Sequence, residues 1–93
     1  MCQTIQRPWF VYIVQTECKQ LYTGISTDVE RRFHEHCQVF EGISEKGAKY
    51  FRGKKPLAIV YRETYENRAE ASKREYQIKK MSASKKRVLI NTN

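Results

Sequence analysis

The sequence predicts a mixed α/β fold of the α+β type, with its elements in the order β-β-α-β-α-α. One observation is a continuous apolar and aromatic run at residues 9–15 (WFVYIVQ), typical of a strand that is buried on both faces in the centre of a sheet. Another is a pair of segments with apolar residues at helical spacing, each introduced by residues that cap helices. The length of 93 residues suits one domain with one modest core.

The first two strands are expected to form a hairpin. Residues 16–20 (TECKQ) are a polar connection, and residues 21–26 (LYTGIS) have strand composition. The connection contains no Asn-Gly pair, which favours a loop longer than a tight two-residue turn. In such a hairpin Tyr12 and Tyr22 can lie near each other on one face, and Gly24 allows another group to approach the backbone closely.

The first helix is predicted from about residue 28 to residue 38. Thr27 and Glu30 have the spacing of a capping box, and Asp28 falls in the first turn, where an acid suits the helix dipole. One stripe of this helix carries three apolar residues and one histidine: Val29, Phe33, His36 and Phe40.

The junction between the second strand and this helix is the first candidate site. Arg32 precedes His36 by one helical turn, so both can point toward Tyr22 if the helix packs on the sheet. Taken singly, a histidine on an apolar face is typical of a core residue, and an arginine near a helix start is typical of a solvated charge. Together, a phenol, a guanidinium and an imidazole can bind a phosphate and transfer a proton.

Residues 41–55 (EGISEKGAKYFRGKK) form a predicted loop in which basic residues alternate with aromatic ones. That composition suits contacts to a nucleic-acid backbone combined with base stacking. An ordinary solvated loop whose aromatic residues pack into the core is an equally good interpretation. The candidate contacts are Lys49, Tyr50, Arg52, Lys54 and Lys55.

The third strand is predicted at residues 56–65, and Asn67 with Glu70 predicts the cap of a second helix that ends near Met81. One face of this helix carries Ala71, Glu75, Ile78 and Ser82. Glu75 is thus a carboxylate among inward-facing residues, and an unpaired buried carboxylate is costly. Its partner is either a cation such as Lys79 or Arg32, or a hard divalent ion such as Mg²⁺.

A short third helix is predicted at residues 82–90 (SASKKRVLI). Its last three residues, Val88, Leu89 and Ile90, are expected to close the core. Lys85, Lys86 and Arg87 form a basic tip, and the two lysines are further candidates for contacts to nucleic acid.

The charge and composition narrow the class of partner. Eighteen basic and ten acidic residues give a net charge of +8 and a pI of about 9.6, which favours nucleic acid first and an acidic membrane surface second. No apolar run is long enough to span a membrane, and the first residues lack the order of a signal peptide, so we expect a cytoplasmic protein. Cys2, Cys18 and Cys37 form no CxxC pair, which favours free thiols over a zinc site or a disulfide.

In their order and spacing, these residues resemble the GIY-YIG nuclease superfamily, and in particular its small single-domain bacterial group. The resemblance rests on Tyr12 in FVYIV, on Tyr22 and Gly24 in YTG, on Arg32 and His36, and on Glu75 in KREYQIK. It covers about residues 9–90 of a single domain over residues 1–93. Phe10 and Thr23 replace the glycine and the isoleucine of the two half-motifs, which affects packing more than chemistry.

The resemblance implies a small three-stranded antiparallel sheet flanked by helices, and metal-dependent cleavage of DNA phosphodiester bonds, in DNA repair or recombination. It implies catalytic roles for Tyr12, Tyr22, Arg32 and His36, and one ion, Mg²⁺ or Mn²⁺, on Glu75. Asn91 is the nearest match to a late asparagine of the family.

The substrate and the class of protein stay open at this point. RNA is an alternative substrate, and a protein partner is an alternative source of targeting, because no separate DNA-reading domain fits in this length. The rival class is a basic nucleic-acid-binding module without catalysis, which would not need the five site residues to converge.

Overall fold

The computed structural model of the protein describes residues 7–44 and 48–92, so Cys2 and most of the N-terminal lead-in lie outside the described residues. This part of the chain forms strands β1 (Trp9–Thr16), β2 (Leu21–Ser26) and β3 (Pro56–Tyr65), and helices α1 (Val29–Phe40), α2 (Arg68–Lys79) and α3 (Ala83–Asn91). A short 3₁₀ helix (Lys49–Phe51) precedes β3. The predicted α+β class and element order are confirmed.

The three strands form one antiparallel sheet in the order β2-β1-β3. Strand β1 is central, and the side chains of its residues 11–14 are fully buried. The prediction of a strand that is covered on both faces is therefore confirmed. Tyr12 is paired with Gly24 of β2 on one side and with Arg62 of β3 on the other.

Alternation along β1 divides the core between the two faces of the sheet. Val11 and Ile13 point to one face, where they pack with α2 and α3. Tyr12 and Val14 point to the other face, where they pack with α1 and Phe51. The residues of the candidate site are thus supplied by helices on both faces. None of the helices in the described ranges is long and apolar enough to cross a membrane.

The helix caps correct one prediction and confirm another. Helix α1 is capped by Asp28, whose side chain accepts a hydrogen bond from the backbone N–H of Arg31 at 3.1 Å, so the Thr27 capping box was wrong. Aspartate is as good a cap as threonine, and the two adjacent candidates cannot be separated by type alone. Asn67 caps α2 as predicted, with its side chain accepting from the N–H of Glu70.

The C-terminal residues pack less fully than predicted. Ser82 does not extend α2 but caps α3, where its hydroxyl accepts from the N–H of Lys85. Leu89 and Ile90 pack against the core, whereas Val88 is 62% exposed. The register of a nine-residue helix places only one side of it on the sheet, so three consecutive apolar residues cannot all be buried.

A polar cluster fixes α2 on the third strand. Arg74 of α2 forms an ion pair with Glu63 of β3, with its Nε 2.9 Å from Glu63 Oε1. Tyr61 and Tyr65 both donate hydroxyl hydrogen bonds to the same carboxylate. Because the ion pair is largely buried and every partner converges on one carboxylate, it holds the orientation of the helix that carries Glu75.

Candidate active site

A buried pair of side chains forms the floor of the site. The Tyr12 hydroxyl and His36 Nε2 are 2.8 Å apart and joined by a hydrogen bond, and both side chains are fully buried. The His36 ring stacks on Phe51, with ring centroids 4.3 Å apart. This floor depends on Gly24, since a Cβ atom at that position would lie 2.7 Å from the Tyr12 hydroxyl oxygen.

Tyr22 lies above this floor and is only partly buried. Its ring centroid is 5.2 Å from that of His36, in an edge-on contact, and 6.3 Å from that of Tyr12. On its other side, Tyr22 contacts the Tyr50 ring, again at 5.2 Å. The two predicted tyrosines therefore lie on one face, but only Tyr22 is in a position to meet a substrate from solvent.

Arg32 and Glu75 complete the outer part of the site. Arg32 Nη1 donates to Glu35 Oε1 at 2.8 Å, and its side chain is 28% exposed. Glu75 lies close enough for its negative charge to raise the pKa of both Tyr12 and Tyr22. Tyr12, Tyr22, Arg32 and His36, contributed by β1, β2 and α1, therefore lie together, and Glu75 of α2 lies within electrostatic range of both tyrosines.

Burial controls the protonation states of the buried pair. It lowers the pKa of His36 to about 4, with the nearby Arg32 charge acting in the same direction. Burial also raises the pKa of Tyr12 above its ordinary value, and the neighbouring Tyr22 adds to that increase. His36 is therefore a neutral imidazole, and Tyr12 an uncharged phenol, at neutral pH.

The pKa of Tyr22 is also raised, mainly by burial and to a smaller extent by Glu75. The charge of Arg32 acts in the opposite direction but does not outweigh burial. Tyr22 needs additional positive charge nearby before it can act as a base near neutral pH.

The donor set around Glu75 fits one hard divalent cation. Glu75 forms an ion pair with Lys79 at 3.3 Å, so the predicted salt bridge is present. Because Lys79 is 52% exposed, this pair adds little stability and can open. In the described ranges, no three His, Cys, Asp or Glu side chains gather as a metal site. A lone carboxylate suits Mg²⁺ or Mn²⁺, which retain waters and take further oxygens from a phosphate, better than it suits Zn²⁺.

The residues predicted to contact nucleic acid divide into two groups. Tyr50 and Lys86 line one cleft beside Tyr22, and Lys54 lies over the Tyr50 ring at 4.1 Å from its centroid. The others are exposed and lie apart from that cleft: Lys49, Arg52, Lys55 and Lys85. Lys55 forms a long ion pair with Glu17 at 4.0 Å.

Asn91 lies at the end of α3 that is farther from the cleft beside Tyr22. It is the exposed last residue of α3, whereas Ala83, the first residue of that helix, lines the cleft beside Tyr22. The two ends of a nine-residue helix are about 12 Å apart. The role of Asn91 stays a prediction.

Lys19 and Gln20 carry no signal in the sequence that connects them with the site. Both line the cleft beside Tyr22, and Arg87 donates a hydrogen bond to the Lys19 carbonyl oxygen at 2.6 Å. A lysine in the polar turn between two strands gives no signal of its own. It gains one only when α3 is known to pack against that turn.

Comparison with known proteins finds similarity over nearly the whole chain. The chain matches the GIY-YIG catalytic domain family over residues 8–88. It is 50% identical to UPF0213 protein DP2720 of Desulfotalea psychrophila over 96% of this chain and 82% of that protein. It is 41% identical to UPF0213 protein YhbQ of Escherichia coli K12, over 89% and 77% of the two chains.

A solved structure gives the same result for the fold. The solution NMR structure of UPF0213 protein BH0048 from Bacillus halodurans superposes with a TM-score of 0.56 at 36% identity, covering 92% of this chain and 85% of that chain. Members of the matched family generally use a divalent metal, and the match supports an endonuclease-type function and binding to DNA. The chain belongs to the GIY-YIG catalytic domain family, among the small proteins of the UPF0213 type.

Proposed function

We propose that the protein is an endonuclease that hydrolyses DNA phosphodiester bonds with the help of one Mg²⁺ or Mn²⁺ ion. The observation that carries the proposal is the convergence of Tyr22, Arg32 and Glu75 above the buried Tyr12–His36 pair. These residues come from four separate elements, and core packing alone gives no reason for polar groups to converge at one place. A binding module without catalysis would not require this convergence.

The three outer residues have roles that follow from their chemistry. Tyr22 accepts a proton from the attacking water, and Arg32 donates hydrogen bonds to the non-bridging oxygens of the scissile phosphate. Glu75 holds the cation, which when bound supplies Lewis-acid activation of the phosphate and the positive charge that favours a phenolate at Tyr22.

The buried pair positions Tyr22 and does not touch the substrate. His36 stays neutral at pH 7 because its pKa is about 4. It can therefore form a hydrogen bond with Tyr12 without adding a second positive charge beside Arg32. Its Nδ1 atom is buried without a partner in the described structure. A bare acceptor is less costly there than an unpaired N–H, which favours the tautomer whose Nε2–H donates to the Tyr12 oxygen.

The test is cleavage of labelled DNA duplexes, single strands, branched DNA and RNA, with Mg²⁺ or with a chelator. We expect metal-dependent cleavage that Tyr22→Phe slows by about 10²- to 10⁴-fold and that Glu75→Gln abolishes. Matched controls are Tyr76→Phe and Glu70→Gln, which change an exposed tyrosine and an exposed glutamate on the same helix as Glu75. Equal rates for the parent and Glu75→Gln would refute the metal role, and absence of cleavage on every substrate would favour the binding module.

The choice of Tyr22 as the base has its own test. Because burial raises its pKa, the cleavage rate of the parent should increase with pH through the neutral range, by about tenfold per unit while the phenolate is scarce. A flat profile at constant metal and DNA occupancy would assign the base to another group. Roles in DNA repair or recombination, and a partner that directs the enzyme to its target, are part of the same proposal and depend on which substrate is cut.

A further inference from the structure

A cleft of about 430 Å³ opens beside the proposed active site, between the turn that joins β1 to β2, the Tyr50 ring and the start of α3. Three of its described lining residues are cationic, namely Lys19, Lys86 and Arg87, and none is acidic. Its volume is in the range of sites that hold a small ligand, and its charge suits a phosphate.

The cleft adjoins the proposed active site through the Tyr50 ring. Tyr50 lines it, and the ring centroids of Tyr50 and Tyr22 are 5.2 Å apart. Successive nucleotides of a DNA strand advance about 3.4 Å along the axis, so a strand that contacts Tyr22 extends past the adjoining Tyr50 ring within a few steps. A strand whose scissile phosphate lies at Tyr22 can therefore reach the cleft with a flanking phosphate.

Two local features of the cleft are unfavourable for the isolated chain, and the second, a concentration of positive charge, is one that a bound anion would offset. Lys19 has a positive φ of 66°, a left-handed conformation that a lysine adopts at a cost and that glycine adopts freely. The first turn of α3 contains no acidic residue and instead carries Lys85 and Lys86 near the positive end of the helix dipole. Residues that break local rules in this way are expected at functional sites.

The shape of the cleft is fixed by contacts across the chain. Arg87 donates to the Lys19 carbonyl oxygen at 2.6 Å, which joins α3 to the turn. The Tyr50 hydroxyl donates to Gln20 Oε1 at 3.2 Å, which joins the 3₁₀ helix to the same turn. The two contacts hold the three walls in place, so the cations are positioned by the fold.

We infer that this cleft binds the phosphodiester backbone of the DNA strand beside the cleavage position, with Lys19 and Lys86 as its phosphate contacts and Tyr50 as the wall shared with the active site. The inference rests on the proposed function for the location of the cut, but the binding it describes does not depend on catalysis. The cleft acts on affinity, because its cations lie outside the group of residues that surround the scissile phosphate.

The experiment measures the Kd of the full-length protein for a fluorescein-labelled DNA duplex in chelator, at several salt concentrations. The variants are Lys19→Gly, which removes the charge and relieves the left-handed backbone, and Lys86→Gln, with Lys86→Arg as the conservative exchange. The matched control is Lys73→Gln, which removes the same charge from an exposed site on α2 outside the cleft.

We expect Lys19→Gly and Lys86→Gln each to raise Kd by about five- to tenfold near 0.1 M salt and to reduce the salt slope of log K by about 0.9. Lys73→Gln should stay within about twofold of the parent because solvent screens a distant charge. Lys86→Arg should restore affinity, and the Tm of Lys19→Gly should not fall below that of the parent.

Cleavage measured at saturating DNA separates this inference from the proposed function. Unchanged saturated rates with raised Kd support the cleft as a binding site. If the parent cuts no substrate but the two variants bind DNA more weakly than the parent, the nuclease function is refuted and the cleft is retained as a binding site. The inference would be overturned if Lys19→Gly and Lys86→Gln bind DNA as tightly as Lys73→Gln does. It would also be overturned if they lower the saturated rate and leave Kd unchanged.

Discussion

Replacing Gly24 with alanine should disturb the floor of the active site. The new Cβ atom would lie 2.7 Å from the Tyr12 hydroxyl oxygen, 2.9 Å from Tyr12 Cζ and 3.0 Å from Tyr22 Cε2. Tyr12 is fully buried and hydrogen-bonded to His36, so its ring cannot turn aside without breaking that bond. Overpacking of this kind costs about 1–3 kcal/mol, and each kcal/mol lowers Tm by about 4–8 °C in a domain of this size.

The same substitution should affect cleavage more than stability. Displacing Tyr12 separates it from His36, and the contact with Tyr22 moves the proposed base as well. A misplacement of about 1 Å at a reacting group can cost about 100-fold in rate. We therefore expect Gly24→Ala to be folded at 25 °C, with a lower Tm and a cleavage rate reduced by about two orders of magnitude.

The assay compares thermal unfolding and single-turnover cleavage with a glycine control. Gly42 has a positive φ of 76° and no atom within 4 Å of an added Cβ, so Gly42→Ala strains only the backbone, by about 1–2 kcal/mol. It should lose similar stability while keeping the parent rate. If Gly24→Ala has the Tm and the cleavage rate of the parent, Tyr12 does not lie against the backbone of Gly24. If Gly24→Ala and Gly42→Ala lose cleavage rate equally, the lower rate results from lower stability.

Three further predictions concern stability. Thr23→Val should raise the free energy of unfolding by about 1–3 kcal/mol, because the Thr23 hydroxyl is buried without a partner in the described residues. The pKa of His36 is about 4 in the folded protein and about 6.5 in the unfolded protein, so unfolding takes up a proton between these pH values. The free energy of unfolding should therefore fall by about 3 kcal/mol as pH decreases from 6.5 to 4. In His36→Gln the free energy of unfolding should change less over the same pH range. Burial acts to raise the pKa of Glu63, but the hydrogen bonds from Arg74 and from Tyr61 hold that pKa below its usual range. Glu63→Gln should therefore destabilise the protein by about 1–3 kcal/mol at pH 7. The difference in stability between the parent and this variant should shrink as pH falls below about 4.3, because the parent carboxylate then becomes protonated.

Chemical denaturation at a series of pH values measures all three effects. A destabilised Thr23→Val would indicate that its hydroxyl has a hydrogen-bond partner. A parent and a His36→Gln variant with parallel pH profiles would show that His36 is not buried as a neutral group. A Glu63→Gln protein as stable as the parent at pH 7 would mean that Arg74 and the tyrosines find equally good partners elsewhere.

Local patterns were sufficient to predict the strands. The ranges of β2 and β3 are as predicted, and β1 extends only one residue beyond the prediction, to Thr16. A strand buried on both faces needs a continuous apolar run, and that run is visible without any knowledge of its neighbours. The Thr27 cap was wrong because its competitor, Asp28, is adjacent and forms the same kind of hydrogen bond.

The site was partly predictable for a different reason. The residue pattern singled out Tyr22, Arg32, His36 and Glu75 as candidates, and the family resemblance assigned roles to these four residues and to Tyr12. The different degrees of burial of His36 and Tyr22 were not visible in the sequence, so the raised pKa of Tyr22 and the division into a buried pair and an outer group emerged only from the structure.

The cleft was out of reach of sequence reasoning. It depends on a contact between Lys19 and Arg87, which are 68 positions apart, and no pattern of spacing links a turn lysine to an arginine in the last helix. Contacts of this kind are set by how the layers stack, and that arrangement is determined by the whole core.

Helices cover both faces of the sheet, so the central strand separates two helical layers. Helix α1, which carries Arg32, packs on one face of the sheet, and α2, which carries Glu75, packs on the other, so the spacing of the two helices depends on the sheet between them. A methyl group removed beneath either helix, far from any phosphate, would change that spacing. The proposed hydrolysis should therefore lose rate on heating before the main unfolding transition, as the packing of the core loosens.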